Sequence, residues 1–256
     1  MNRQVPLKSK YLLIGSGKLA THLAHYFQLL GVEIYKWSRH PSEKFNSFLQ
    51  ITDNEQRLAT CLNHSTHVLL AISDSAIEDF AKKLPNDKVK LHFSGALVTD
   101  EARGIHPLMT FHQHLYSLSE YKKIPFIIEQ HEQAQTLQNW LPEFPNPSYP
   151  LRKEQKALYH ALCVMSGNFS NILWREVFKL FQSRLKIPTE TLIPYLEVTL
   201  KNFQMDPLNS LTGPLQREDQ ITLDMNIKAL ESVELDQLYK EFVKVHKTLH
   251  QQENLI

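Results

Sequence analysis

The sequence predicts an α/β chain, with a doubly wound parallel sheet over residues 1–150 and an all-helical region over residues 151–256. Three observations predict it. Short apolar runs suited to buried strands alternate with helical-period segments through the first half. The first of these runs ends in two closely spaced glycines that open a helix. Strand signals then stop after "LPEFPNPSYP", Leu141 to Pro150, where four prolines in ten residues argue for a boundary.

The elements follow in order. Tyr11 to Ile14 is an apolar run that suits a buried strand. Leu19, Leu23, Tyr26, Phe27 and Leu30 recur at helical spacing, and Gly31 closes that helix. A second strand runs from about Val32 to Trp37. "THVLLAIS", from Thr66, is a near-continuous apolar run, as a strand covered on both faces should be. "SDSAIEDFAKKL" reads as a helix, and "VKLHFSG", ending at Gly95, as another strand. "GIHPLMTF" and "IPFIIE" are two further short extended segments. Beyond the prolines, Lys153 to Phe181 reads as one long helix and Thr189 to Phe203 as a second, started by Pro188 and Thr189. Segments from about Pro214 to Leu230 and Glu234 to His250 complete the helical half. Leu238, Phe242, Val245 and Leu249 supply a stripe at 3/4 spacing.

The junction after the first strand points to a ligand. Gly15-x-Gly17-x-x-Ala20 fits the dinucleotide-binding fingerprint of a Rossmann doubly wound sheet, which accepts Ala at its last position. In that pattern Gly15 makes the turn, Gly17 leaves room for a pyrophosphate, and Ala20 lets helix and strand pack closely. At the end of the second strand a carboxylate would bond the ribose diol of NAD(H). The chain instead offers Ser38, Arg39 and His40. A hydroxyl and a guanidinium suit a phosphate dianion, so the expected cofactor is NADP(H). Arg39 also fits an ordinary solvated position. The expected cofactor-binding set is Gly15, Ser16, Gly17, Lys18, Leu19, Ser38, Arg39, His40, Ile72, Ser73, Ser94 and Gly95. Asp74, at the same end of the sheet, reads first as a cap on the helix after it.

Two clusters in the second half carry polar groups. His160, Val164 and Asn168 lie four residues apart and share one face of an α-helix. A His and an Asn facing a cleft can orient a carbonyl, and an imidazole can supply a proton near neutral pH. A lone histidine among 13 equally fits a structural role. In "SLTGPLQREDQ", Gly213-Pro214 reads as a turn leading into a helix. Thr212 can donate a hydrogen bond there, and Arg217 can hold a carboxylate bidentately. A capped helix with a solvated Arg217–Asp219 pair fits as well.

Bulk properties narrow the classes. A formal net charge of +1 over 256 residues gives no general attraction to nucleic acid or an anionic membrane. No apolar stretch is long enough to span a bilayer, and "MNRQVPLKSK" lacks a signal peptide's apolar core. Cys61 and Cys163 stand at unrelated spacing, with no zinc pattern. A cytoplasmic location is expected.

Together these residues resemble a known family. "HFSGAL" at His92 to Leu97, "GIHPLMTF" at Gly104 to Phe111, "YHALCVMSGNF" at Tyr159 to Phe169 and "LTGPLQRED" at Leu211 to Asp219 occur in that order after the fingerprint. The chain is similar to the Rossmann-like oxidoreductases whose helical half was catalogued as a domain of unknown function. Within them it resembles the noncanonical ketopantoate reductases. Their last motif usually reads Arg-Gly-Asp, and here Glu218 replaces the Gly. The resemblance implies a homodimer that binds NADP(H) and a small 2-oxo acid. It also implies that Ser94, His106, His160, Asn168 and Arg217 line one cleft. Ordinary ketopantoate reductases place a Lys four residues before the matching Asn, where this chain has Val164. His160 becomes the expected proton donor and Lys156 the fallback. Reduction of 2-dehydropantoate is the leading expectation. Reduction of another carbonyl or a cyclic imine, or NADP(H) binding without turnover, are the alternatives.

Overall fold

The computed structural model describes residues 10–130 and 135–253, with side chains described to residue 248. The polar N-terminal stretch and the side chain of Leu249 lie outside these. Packing divides the chain into two compact units, one up to Ile172 and one from Leu173.

The first unit is built on a seven-stranded sheet. Its strands are β1 (Tyr11–Ile14), β2 (Ile34–Trp37), β3 (His67–Leu70), β4 (Val89–His92), β5 (Arg103–Pro107), β6 (Phe126–Glu129) and β7 (Ser148–Leu151). Their order is β2-β1-β3-β4-β5-β6-β7. Only the β5–β6 pair is antiparallel. The helices of the first half are α1 (Lys18–Leu29), α2 (Asn54–Asn63), α3 (Asp74–Lys82) and α4 (Leu118–Lys123).

The alternation of side chains along the strands explains why both faces are covered. Tyr11, Leu13 and Leu69 pack on one side with Leu23, Tyr26 and Phe27 of α1 and Tyr121 of α4. Leu12, Ile14, Val68 and Leu70 pack on the other with Cys61 of α2 and Ile77 and Ala81 of α3. The Rossmann-like sheet expected from the sequence is therefore present, with α1 and α4 on one face and α2 and α3 on the other.

The proline-rich stretch departs from its expected role as a linker. Leu141 and Phe144 within it are fully buried, and its last residues form β7. Proline is tolerated there because β7 is an edge strand. The role change expected at 150/151 is thus not a packing boundary. The chain runs on from β7 through a 3₁₀ turn (Lys153–Gln155) into α5 (Lys156–Cys163), a π-helical segment (Val164–Phe169) and α6 (Ser170–Leu180), and the division between units falls inside α6.

The second unit is helical, as expected. A π-helical turn (Phe181–Leu185) ends in Lys186 with a left-handed backbone. A 3₁₀ turn (Thr189–Thr191) leads into α7 (Leu192–Met205), followed by α8 (Gln220–Glu231) and α9 (Asp236–Glu253). α8 starts later than the Pro214 expected. Asp219 is its N-cap, its carboxylate accepting from the Thr222 backbone N–H at 3.1 Å and the Thr222 hydroxyl at 2.7 Å.

Candidate active site

The strand order reverses between β1 and β3, because β2 lies on one side of β1 and β3 on the other. In an open α/β sheet a crevice forms at such a point, outside the carboxyl ends of the strands. A cleft of about 750 Å³ lies there, bordered by the loop after β1, the end of β2 and the start of α3.

Gly15 begins the first border. Its φ is +134°, and a Cβ on it would sit 2.2 Å from the Ala71 carbonyl oxygen and 3.6 Å from the Ala20 Cβ. Both demands, the backbone conformation and the close approach, exclude any side chain. Ala20 is fully buried beneath it, so the small residue at each end of the fingerprint serves helix–strand packing. Gly17 differs: a Cβ there would meet nothing within 4 Å. It is the N-cap of α1 and offers no side-chain cap, so the first N–H groups of the helix are left to the cleft. Ser16 and Lys18 are exposed beside it and Leu19 is half-buried.

On the second border, Arg39 and His40 are exposed at the rim of the cleft. Ser38 lines it too, but its hydroxyl turns inward. It lies 2.8 Å from both the His40 carbonyl oxygen and Asn46 Oδ1, and the residue is buried. The phosphate-binding role expected of that hydroxyl is corrected: Ser38 shapes the loop that carries Arg39. Asn54 Nδ2 holds the same loop, donating to the Arg39 carbonyl at 3.2 Å.

Ile72 and Ser73 complete the third border. Ser73, not Asp74, is the N-cap residue of α3. The Asp74 carboxylate accepts a 2.6 Å hydrogen bond from the Ser94 hydroxyl, joining the ends of β3 and β4. Ser94 Oγ in turn accepts from the backbone N–H groups of Leu97 (3.0 Å) and Ala96 (3.3 Å). The Ser94 hydroxyl, expected in the pocket wall, is thereby committed to the turn after β4.

Beyond that turn lies a histidine cluster. His106 on β5 and His160 on α5 both press on Gly95. A Cβ there would lie 3.0 Å from His160 Cδ2 and 3.2 Å from His106 Cδ2 and Nε2. His106 Nδ1 shares a 2.6 Å hydrogen bond with the Tyr159 hydroxyl. Burial first, and then the His160 and Lys156 charges, push the His106 imidazole down to about 4, against a weaker upward pull from Asp74. His106 is therefore a neutral imidazole at pH 7. His92, fully buried at the end of β4, is pushed down to about 3 by burial and by Lys156 and His106. Burial raises the Tyr159 phenol, so it keeps its proton.

Lys156, the fallback donor, lies beneath this cluster. It is buried, and its ammonium donates to Glu129 Oε2 at 2.7 Å and to the Leu97 carbonyl. Both partners are internal, and they take two of the three N–H groups of the ammonium. Gly104 makes room for the pair, since a Cβ there would lie 2.8 Å from Lys156 Nζ and 3.1 Å from Glu129 Oε2. Glu129, Tyr159 and His92 were not among the expected site residues. The pairing of Glu129 with Lys156 has no local signature, and Tyr159 carries only its i,i+3 relation to Lys156 on α5.

Three expected residues remain, Asn168, Thr212 and Arg217. Asn168 is exposed within the π-helical segment. Val164 opens the same segment, directly after α5 ends at Cys163. Thr212 and Arg217 belong to the second unit, where both are exposed. Arg217 sits in the turn before α8, its backbone N–H bonded to the Gly213 carbonyl at 3.2 Å. Glu218 next to it has φ +52°, a left-handed conformation that glycine adopts without strain.

Comparison with known proteins agrees with this architecture. Residues 124–245 match the family model described as Domain of unknown function (DUF2520). No curated protein matches the chain. Among solved structures, BF3122 of Bacteroides fragilis, provisionally described as an NADP oxidoreductase, has a TM-score of 0.71 at 20% identity, covering 93% of this chain and 97% of that one. The 1-pyrroline-5-carboxylate reductase of Streptococcus pyogenes has a TM-score of 0.59 at 14% identity, covering 93% and 96%. A reductive aminase from Aspergillus terreus, in complex with NADPH and ethyl levulinate, has a TM-score of 0.60 at 14% identity, covering 96% and 95%. At these identities the likeness is one of fold.

Proposed function

We propose that this chain is an NADP(H)-dependent reductase of small carbonyl or imine compounds. The observation that carries the reading is the cleft at the β1–β3 switch point. It combines a glycine that admits no side chain, a helix N-terminus without a side-chain cap, and Arg39 rather than a carboxylate at the end of β2. Arg39 suits the extra phosphate of NADP(H). The similar folds include proteins described as NADP oxidoreductase and reductive aminase, the latter with NADPH bound, which supports the same cofactor.

The cofactor supplies hydride. The chain's own groups must orient the acceptor carbon and manage the proton. His106, neutral at pH 7, suits a hydrogen-bond donor and not an imidazolium acid. His160 beside it remains the proposed proton donor, with Asn168 orienting the substrate. Within the reductase reading, the leading substrate is a 2-oxo acid, 2-dehydropantoate by family resemblance, with Arg217 holding its carboxylate and Thr212 donating a further bond. Reduction of a cyclic imine is the second reading. It is favoured by the fold likeness to a pyrroline-carboxylate reductase and by chemistry, because a protonated imine brings its own proton and asks none of His160.

NADPH consumption measured across 2-oxo acids and cyclic imines tests the proposal. Turnover of 2-dehydropantoate supports the first reading and turnover of imines alone the second. NADPH binding with no turnover on either panel would leave a sensor and refute the enzyme. We also propose a homodimer held through the helical unit, where Tyr195, Phe203, Met205, Leu208 and Met225 are large, apolar and exposed. Light scattering is expected to give twice the 29.8 kDa chain mass, and a monomer at micromolar concentration would refute it.

A further inference from the structure

One helix turn carries three side chains into the sheet. Lys156, Tyr159 and His160 stand at i, i+3 and i+4 on α5 and therefore share a face. Two glycines receive them. Gly104 accommodates the Lys156–Glu129 pair, and Gly95 lies against the His160 and His106 rings. The Lys156 ammonium reaches two separate elements, Glu129 at the end of β6 and the Leu97 carbonyl in the turn after β4. That turn is the one fixed by Ser94, one residue before Gly95.

We propose that Lys156 and Glu129 are positioning residues of the reductase site, a buried clamp that sets where His160 and Tyr159 meet Gly95 and His106. The proposal rests on the reductase reading above. A buried ion pair is a poor source of net stability, and an apolar pair of similar volume often replaces it without loss. What it supplies is direction, because two of the three Lys156 N–H groups point at fixed acceptors on separate elements. Glu129 Oε1 lies 3.8 Å from Lys153 Nζ and has no hydrogen-bond partner among the described residues. Beside it is a small cavity of about 10 Å³, bordered also by Ser94, His106, Lys156 and Tyr159. That is room for one water molecule, which would satisfy Glu129 Oε1. The groups that bear on His106 come from every neighbouring element: Asp74 from α3, His92 from β4, and Lys156, Tyr159 and His160 from α5. Burial first, and then the His160 and Lys156 charges, keep the His106 imidazole neutral, so Lys156 contributes to that state in addition to placing its neighbours.

The test compares Lys156→Met with the double variant Lys156→Met/Glu129→Met in the full-length protein. The single variant strands a buried carboxylate and is expected to lose stability. The double variant is expected to melt close to the wild type. Its kcat is nonetheless expected to fall about tenfold or more through misplacement of the site, with KM and the NADPH dissociation constant changed less than about threefold. The His106 imidazole, followed by NMR, is expected to titrate at higher pH than in the wild type. A double variant with wild-type stability, wild-type kcat and an unmoved His106 titration would overturn the clamp. If the wild type reduces nothing, the reductase reading fails, and the His106 titration alone then decides whether Lys156 and Glu129 set that imidazole.

Discussion

Substituting Gly95 by Ala probes the histidine cluster with a single methyl group. Gly95 has no positive φ, so its backbone accepts alanine, and any effect comes from contact. The new Cβ would stand 3.0 Å from His160 and 3.2 Å from His106, against 3.4–4 Å for ordinary contact. Each ring must retreat by roughly 0.2–0.4 Å. For His106 that retreat works against its 2.6 Å bond to Tyr159. Overpacking of this kind costs about 1–3 kcal/mol of stability. A misplacement of 1 Å can cost about a hundredfold in rate, so a few tenths of an ångström is expected to lower kcat by roughly three- to tenfold. Gly95 does not border the large cleft, so NADPH affinity should hold. Stopped-flow single turnover, with NADPH fluorescence titration beside it, reads both quantities. Gly17→Ala, whose Cβ would meet no atom, is the control for stability. Unchanged turnover in a folded Gly95→Ala protein would refute the placement of the two imidazoles at the reaction centre.

Other outcomes are equally open to measurement. Arg39→Ala should remove most of a preference for NADPH over NADH, about 1.5–3 kcal/mol for a charge-assisted contact; equal affinities in the wild type would sink the assignment. Glu218→Gly should stabilise the protein by about 0.5–1 kcal/mol, because relief of a left-handed strain of about 1–2 kcal/mol exceeds the entropy cost of glycine; a lower melting temperature would contradict the conformation found there. Acid should destabilise the fold below the ordinary histidine range. His92 and His106 are depressed to about 3 and about 4, so between pH 6.5 and those values the unfolded chain binds protons that the folded one refuses, and stability falls as pH falls. The loss is on the order of 3 kcal/mol for His106 alone. His92→Asn, which keeps an acceptor for the Ser94 N–H, should flatten that slope in denaturation curves recorded between pH 4 and 7.

Much of this was legible because the signals are local. Strand and helix periods and the fingerprint glycine depend on neighbours a few residues away. The misses depend on distant partners. The Ser38 hydroxyl looked available until Asn46 turned it inward. Lys156 was expected as the fallback proton donor, but its ammonium is held by Glu129, 27 residues earlier. Lys153 to Phe181 read as one long helix, and the π-helical winding at Val164–Phe169 within it has no signature in the spacing of its residues. The prolines before Leu151 read as a break because nothing local shows that Leu141 and Phe144 are core residues.

Those same prolines also govern what the sheet can recruit. The Phe126 and Gln130 N–H groups donate to the Pro147 and Leu151 carbonyls, so odd-numbered residues of β7 face β6 and Pro150 faces outward. The outer rim of the sheet therefore lacks a donor in the middle of its last strand. A visiting strand would find an interrupted ladder there, which guards against edge-to-edge aggregation of chains.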